Sequence, residues 1–213
     1  MKIGDAGPEQ LRADAARNLG KILAAARTVM AEQGLAAPMD LIARRAGVGI
    51  GTLYRRFPTR EALIAAVAEE YVTDLVAVTR RLGESSRDAR TALRGLVHWC
   101  ADPGRGALAA ALADLSTASF HASPSFARAR QEWLELLDDL VRRGQRDGLV
   151  RHDVGTGDVV LLLNVFACHP DRLPGHVAAQ PARYLHLVFD ALMTGPPAPD
   201  ALPGAPVDLD AVR

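Results

Sequence analysis

The sequence predicts an all-α protein of about nine helices, in which a three-helix amino-terminal domain precedes a larger helical domain. Of its 213 residues, 49% are apolar and only 5% are aromatic, and the abundance of alanine and leucine favours helices. Apolar residues recur at three- and four-residue spacing along most of the chain, which is the period of a helix with one buried face. Glycine, proline and small polar residues separate these stretches, as expected at helix ends.

The net charge of zero conceals an uneven distribution. Residues 1–67 contain ten basic and six acidic residues, a net charge of +4, whereas residues 68–213 contain fifteen and nineteen, a net charge of −4. A basic domain attached to an acidic one is typical of a phosphate-binding protein, although a solvated charged face is a common cause of such clusters.

Targeting signals and a disulfide framework are not evident. No run of about 18 uncharged apolar residues is present, so we expect no membrane span or membrane partner. The first residues, MKIGDAGPEQ, lack the apolar core of a secretion signal, and we expect a cytoplasmic location. Cys100 and Cys168 predict buried thiols.

The first helix is predicted from Asp14 to Gln33, after an amino-terminal arm of residues 1–13. Gly34 is expected to end it, because glycine readily adopts the left-handed conformation at a helix C-terminus. Its apolar residues at helical spacing are Ile22, Ala26, Val29 and Met30. These four side chains are expected to be buried.

The stretch from Asp40 to Val67 predicts two short helices joined by a tight turn and followed by a longer helix. The first short helix has one apolar face, made of Ile42, Ala43 and Ala46. Gly47 allows positive φ in the turn, and Val48 fills the angle between the helices. This arrangement is typical of a helix-turn-helix.

The second short helix, about Ile50 to Phe57, carries the polar surface of this motif. Leu53 and Phe57 lie on its inner side, four residues apart. The residues left on its outer side are Gly51, Thr52, Tyr54, Arg55 and Arg56. A short exposed helix of this composition suits the major groove of DNA better than a protein core. Pro58 ends the helix, and Thr59 is expected to cap the next one.

This segment resembles the DNA-binding domain of the TetR (tetracycline-repressor) family of transcriptional regulators. The resemblance covers residues 12–67 and is carried by Ile42-Ala43, Ala46-Gly47-Val48, Thr52-Leu53-Tyr54, Phe57-Pro58 and Arg60-Glu61-Ala62-Leu63. Upstream, the residues similar to the family's first helix are Asn18, Ile22, Leu23, Ala25-Ala26 and Gly34. The order of these motifs is most similar to the SbtR-like branch.

The resemblance implies a DNA-binding domain over residues 14–67 and a homodimeric repressor that binds a pseudo-palindromic operator in double-stranded DNA. The residues that it places towards base edges are Ile50, Gly51, Thr52 and Arg55. It places Tyr54 and Arg60 on phosphates, and Arg56 in either role. Arg44 and Arg45, on the exposed side of the preceding helix, could add phosphate contacts, and solvated charge is an equally good account of them.

Six further helices are predicted after the helix-turn-helix, over residues 59–82, 87–101, 106–118, 124–146, 156–169 and 181–193. Gly83 to Ser86 is expected to break the first of them, Pro103 and Gly104 to form a turn, and residues 170–175 to form a loop. Periodicity alone allows the apolar run after Asp158 to be a buried strand, and the helical context favours a helix. The proline-rich residues 195–213 predict a disordered tail.

The resemblance further implies that residues 68–194 form an effector-binding and dimerisation domain around an apolar cavity for a small molecule. The candidate pocket residues are His98, Trp99, Phe120, His121, Phe126, Trp133, Asn164 and Phe166. For each of them, core packing is the commoner role. A four-helix dimer interface is implied at the last two helices, and its candidate residues are Val160, Leu163, Leu185, Val188, Phe189 and Leu192.

Other function classes have less support in the sequence. Gly47, Gly49 and Gly51 imitate a phosphate-binding loop, but no strand precedes them and Thr52 stands where the third glycine belongs. Histidines and cysteines lack the paired spacing of a metal site, and no catalytic motif is present. We therefore expect no metal, cofactor or catalytic residue, while a cysteine-dependent enzyme and a purely protein-binding helical module remain alternatives.

Overall fold

The structure, a computed structural model, describes residues 8–113, 123–165 and 175–194. Within these ranges the chain forms ten helices: α1 (Pro8–Gln33), α2 (Met39–Ala46), α3 (Ile50–Arg56), α4 (Arg60–Ser85), α5 (Ala89–Cys100), α6 (Pro103–Ala113), α7 (Pro124–Arg146), α8 (Thr156–Leu163), α9 (Gly175–Ala178) and α10 (Pro181–Ala191). The predicted all-α class is therefore confirmed. None of the described helices is long and apolar enough to cross a bilayer.

The chain divides into two compact units, Met1–Ala68 and Glu69–Arg213, and the division falls within α4. In the amino-terminal unit, α1 packs against α2 and α2 packs against α3. The four α1 side chains predicted to be buried are all buried: Ile22, Ala26, Val29 and Met30. Leu63 and Val67, from the start of α4, are also fully buried in this unit.

Several helix ends follow from local sequence. Gly34 has φ 78°, and its N–H donates to the Met30 carbonyl at 2.9 Å, so the predicted stop of α1 is confirmed. Thr59 Oγ1 accepts from the Ala62 N–H at 3.1 Å and caps α4, as predicted. Asp88 caps α5 by accepting from the Thr91 N–H at 2.7 Å, and this hydrogen bond lowers the pKa of the Asp88 carboxyl.

The larger unit is built around α5, which packs against α7 and α10, while α7 also packs against α8. Leucine, valine and phenylalanine side chains from these helices form its core: Leu93, Leu96, Val97, Leu137, Leu140, Val141, Val159, Leu185 and Phe189. Cys100 is buried in the same core, as predicted. An antiparallel bridge between Val150 and Met193 joins the segment after α7 to the segment after α10.

The structure corrects some predicted boundaries. α1 begins at Pro8 rather than at Asp14. α4 continues through Gly83 to Ser85, because one glycine in a helix interior costs only about 1 kcal/mol and neighbouring packing can offset it. α6 begins at Pro103 rather than Gly106, since proline fits a first helical position. The short α9 was not predicted, and the amino-terminal arm before Pro8 and the tail after Thr194 lie outside the described residues.

Close packing at Gly144 gives a stability prediction. A Cβ added there would lie 2.5 Å from Val150 Cγ2 and 3.3 Å from Ala89 Cβ. Because Val150 is held in the bridge, Gly144→Ala should lower the free energy of unfolding by about 1–3 kcal/mol. Urea denaturation followed by tryptophan fluorescence measures this effect, since both tryptophans, Trp99 and Trp133, belong to the larger unit.

Gly157→Ala is the matched control for Gly144→Ala. Gly157 lies in the first turn of α8, and an added Cβ would meet no atom within 4 Å. The control should leave the free energy of unfolding unchanged or raise it by up to about 1 kcal/mol, because glycine loses the most backbone entropy on folding. Equal stability of Gly144→Ala and the wild type would contradict the close packing.

Candidate nucleic-acid interface

A left-handed glycine sets the turn between α2 and α3. Gly47 has φ 67° and ψ 30°, as the sequence predicted. Its N–H donates to the Arg44 carbonyl at 3.1 Å, and the Val48 N–H donates to the Ala43 carbonyl at 3.0 Å. These two hydrogen bonds satisfy carbonyls at the end of α2. Gly49 then precedes α3 in an extended conformation.

The two sides of α3 differ sharply in burial. Leu53 and the following Phe57 are buried, which fixes the helix to its unit through the inward side that the sequence predicted. Gly51, Arg55 and Arg56 are exposed on the outer side, and Thr52 is half-buried. Ile50 and Tyr54 are 43% and 46% exposed. The outer side of α3 thus presents apolar, aromatic and cationic groups together.

The arginines of this region have different partners. Arg55 Nη2 donates to Thr52 Oγ1 at 3.1 Å, so these two side chains are oriented by each other. Arg44 pairs with Asp40 at 3.2 Å and Arg45 pairs with Glu32 at 2.6 Å. Arg56 has no ion-pair partner among the described residues. Exposed ion pairs contribute only about 0–1 kcal/mol each, so Arg44 and Arg45 can exchange theirs for another anion at little cost.

Arg60 has a structural contact that the sequence did not predict. This half-buried side chain, at the first position of α4, donates from Nη1 to the Leu35 carbonyl at 3.3 Å and to the Ala37 carbonyl. It therefore ties the start of α4 to the loop between α1 and α2. Backbone carbonyls in a loop need hydrogen-bond donors when they are shielded from water. The sequence indicates this need but does not show which residue supplies the donor.

The predicted pocket residues are only partly brought together. Trp99 lies beside Tyr71, with ring centroids 5.9 Å apart, and beneath the Arg105 guanidinium, whose central carbon is 4.6 Å from its ring centroid. Trp133 packs against the same core, and its Nε1 is buried without a hydrogen-bond partner in the described chain. His98 is exposed, whereas Phe126 and Asn164 are half-buried. Three further predicted residues lie outside the described ranges: Phe120, His121 and Phe166.

The predicted dimer residues differ in their burial within the chain. Leu163, Leu185 and Phe189 are buried in the chain's own core. The half-buried members of the set are Val160, Val188 and Leu192. On the same two helices, Leu161 is 66% exposed and Leu187 is 42% exposed.

Comparisons with known proteins agree with this architecture. A model of the bacterial regulatory proteins of the tetR family matches residues 22–67, and a model of the C-terminal domain of SbtR-like transcriptional regulators matches residues 89–194. A TetR transcription regulatory protein from Mycobacterium vanbaalenii, known from its crystal structure, has 35% sequence identity to this chain. The two structures align with a TM-score of 0.63, over 86% of this chain and 99% of that one. This chain belongs to the TetR family of transcriptional regulators.

Two further relatives of this TetR-family regulator are informative. A TetR transcriptional regulator from Streptomyces coelicolor has 35% sequence identity to this chain. Its crystal structure aligns with a TM-score of 0.62, over 82% of this chain and 97% of that one. The HTH-type transcriptional activator FasR from Mycolicibacterium smegmatis is 39% identical over 79 residues, which span 37% of this chain and only 36% of that protein. The matched models describe transcriptional regulators rather than enzymes.

The contact of Arg60 with the loop gives a second prediction. Arg60→Ala should speed amide hydrogen exchange in residues 35–43, because the loop carbonyls lose a charged donor worth about 1.5–3 kcal/mol. Arg56→Ala, which removes an exposed guanidinium four residues earlier, is the control and should leave exchange unchanged. Amide exchange in Arg60→Ala could instead stay unchanged while the slope of log DNA affinity against log salt concentration falls by about one. That result would assign Arg60 to a phosphate contact alone.

Proposed function

We propose that this TetR-family regulator is a homodimeric repressor that binds a pseudo-palindromic operator in double-stranded DNA and is released by a small molecule. The observation that supports DNA binding most directly is the outer surface of α3. Ile50 and Tyr54 are exposed there beside Arg55 and Arg56, on a helix whose opposite side is buried. Because its target is chromosomal DNA, we also propose that the protein acts in the cytoplasm.

The roles proposed for individual residues follow from their chemistry. The residues proposed to face base edges are Ile50, Gly51, Thr52 and Arg55. Thr52 orients the Arg55 guanidinium, and a positioned guanidinium can donate two hydrogen bonds to one guanine. Tyr54, Arg44 and Arg45 are proposed to contact phosphates, which fix the register without reading sequence, and Arg56 is proposed to contact either a phosphate or a base edge. Arg60 donates to the loop through Nη1, and its remaining donors are proposed to contact phosphate.

A dimer is proposed because a single helix of the length of α3 would reach only a few base pairs. Two α3 helices whose centres lie about 34–36 Å apart would enter successive major grooves of a two-fold operator. The exposed Leu161 and Leu187 on α8 and α10 support a partner surface there, together with the half-buried Val160, Val188 and Leu192. We propose that these side chains lie together in one interface, because contiguous exposed apolar patches are typical of interaction sites.

Effector release is proposed to act through the distance between the two DNA-binding units. Helix α4 contributes residues to both units of the chain, so a ligand in the larger unit can change the position of the DNA-binding unit by shifting α4. A ligand has this effect only if it binds one of the two spacings more tightly. The predicted pocket residues Trp99, Phe126, Trp133 and Asn164 remain the proposed lining.

Selection of bound DNA from a random pool tests the proposed function as a whole. An inverted repeat with half-sites one or more helical turns apart is expected, and failure to enrich any sequence would reject the proposal. A reporter gene placed under the selected operator then gives the sign of regulation. Expression that rises when the regulator is deleted supports a repressor, and expression that falls supports an activator, the activity named for the relative FasR.

Direct base readout by Arg55 gives the third prediction. Arg55→Ala should relax the preference at one operator position by about 1–3 kcal/mol, because the guanidinium that discriminates that base is lost. Binding to a library with each operator position randomised measures the change. Arg128→Ala, at an exposed arginine of α7, is the control. An unchanged base preference in Arg55→Ala would exclude direct readout.

The proposed partner surface gives the fourth prediction. Replacement of both exposed leucines, Leu161→Glu with Leu187→Glu, should convert the dimer to a monomer, because desolvated carboxylates are strongly unfavourable in an apolar interface. Sedimentation velocity measures the oligomeric state, and operator affinity should fall with it. Arg130→Glu, on the exposed side of α7, should leave the dimer intact. A double variant that stays dimeric would refute this surface.

A further inference from the structure

Four polar side chains lie together between α5 and α10: Arg94 and His98 on α5, and His186 and Asp190 on α10. The members of each pair are four residues apart, so they lie on the same side of their helix. Arg94 Nη1 donates to Asp190 Oδ1 at 3.1 Å, and the ring centroids of His98 and His186 lie 6.3 Å apart. This polar cluster has no part in the proposed function.

His186 is the buried histidine of this polar cluster. It is only 6% exposed, whereas His98 is exposed. The Nδ1 atom of His186 is buried without a hydrogen-bond partner in the described part of the chain, and Leu185 and Phe189 of the same helix are buried in the core. An imidazolium in this position would lose most of its contact with water, and an unpaired buried charge is strongly unfavourable.

The charges near His186 add to this penalty. Among the described side chains, those that act on it are Arg94 and His98 from α5 and Asp190 from its own helix. Helix α9, which also packs against α10, contributes no charged side chain that the structure describes. The Asp190 carboxylate is already paired with Arg94. Burial first, then Arg94 and His98, lower the pKa of the His186 imidazole, against the opposing effect of Asp190.

This direction of the pKa shift makes stability depend on pH. A histidine in the unfolded chain has a pKa of about 6.5, so the unfolded chain binds a proton more readily than the folded chain does. The free energy of unfolding should therefore be highest above that pH and should fall as the pH decreases below it. The Asp88 and Asp138 carboxyls, whose pKa values are lowered from 3.8, have the same effect only near and below about pH 4. Stability between about pH 7.5 and about pH 5.5 therefore reports on histidine.

We propose that His186 makes the packing of α10 on α5 sensitive to pH, and that its protonation in mildly acidic solution separates α10 from α5 and weakens the partner surface on α10. The imidazolium is repelled by Arg94 and by a protonated His98, and it regains water only where the two helices part. Leu187, the next residue, is 42% exposed, so the same displacement moves a leucine of the proposed dimer surface. The effect on stability goes beyond the proposed function, whereas the effect on the dimer rests on it.

Urea denaturation of the full chain at pH 7.5 and at pH 5.5, followed by tryptophan fluorescence, tests the effect on stability. His186→Gln replaces the imidazole with a polar side chain that does not titrate. The folding equilibrium constant of the wild type, divided by that of His186→Gln, should be roughly three- to tenfold smaller at the lower pH, because the uptake of one proton changes this constant by at most tenfold per pH unit below about pH 6.5. A ratio that is the same at both pH values would overturn the proposal.

Two exposed histidines supply variants that leave the core intact. His98→Gln removes a group that repels the His186 imidazolium, so it should reduce the fall in stability between the two pH values. A fall as large as that of the wild type would contradict the proposal. His152→Gln, at an exposed position between α7 and α8, is the matched control and should keep the wild-type fall. Loss of the fall in His152→Gln would assign the pH dependence to another part of the chain and would overturn the proposal.

Sedimentation velocity tests the effect on the partner surface. The dissociation constant of the wild-type dimer should rise at least roughly threefold from pH 7.5 to pH 5.5, and that of His186→Gln should not change. An equal rise in both, or no rise in the wild type, would overturn the release of α10. A chain that is monomeric at both pH values, yet shows the fall in stability that depends on His186, would reject the proposed dimer and support the pH-sensitive packing.

Discussion

The conformation of Gly47 is the constraint on which the DNA-binding surface depends. Its φ of 67° turns the chain so that only three residues separate the end of α2 from the start of α3, with Leu53 directed inward. A Cβ added at Gly47 would meet no atom within 4 Å, so space is not what requires glycine there. The requirement comes from the backbone, because the left-handed conformation costs any residue with a side chain roughly 1–2 kcal/mol.

Burial on one side of α3 accounts for exposure on the other. Leu53 and Phe57 use the inner side of a helix only seven residues long, and a helix of that length is not stable without such packing. The side chains of Ile50, Tyr54 and Arg55 are consequently not needed for packing within the unit. A surface that packing leaves free, and that carries apolar and cationic groups, is available for a partner with phosphates and base edges.

Burial in the larger unit leaves several polar groups unsatisfied by the described residues. Thr79 and Trp133 each have a buried polar atom without a hydrogen-bond partner in those ranges. His186 is buried between α5 and α10, and burial, followed by the nearby charge of Arg94, lowers the pKa of its imidazole. Buried polar groups are normally paired.

The sequence by itself determined the features that depend on neighbouring residues. Helical periodicity gave the all-α class and the buried stripe of α1, and the conformational freedom of Gly34 and Gly47 gave two helix ends. The cap at Thr59 follows from the same local chemistry. The resemblance of residues 12–67 identified the family, although the roles of individual DNA-binding residues stay predictions.

Only the tertiary structure decided the features that depend on residues distant in the chain. Gly83 stays helical, Arg60 reaches the loop carbonyls of Leu35 and Ala37, and Val150 pairs with Met193. Periodicity identified apolar stripes on α8 and α10 but could not show which side each helix turns inward. Leu185 is therefore core and Leu187 is surface, because the packing of α10 against α5, and not its own sequence pattern, determines which side is covered.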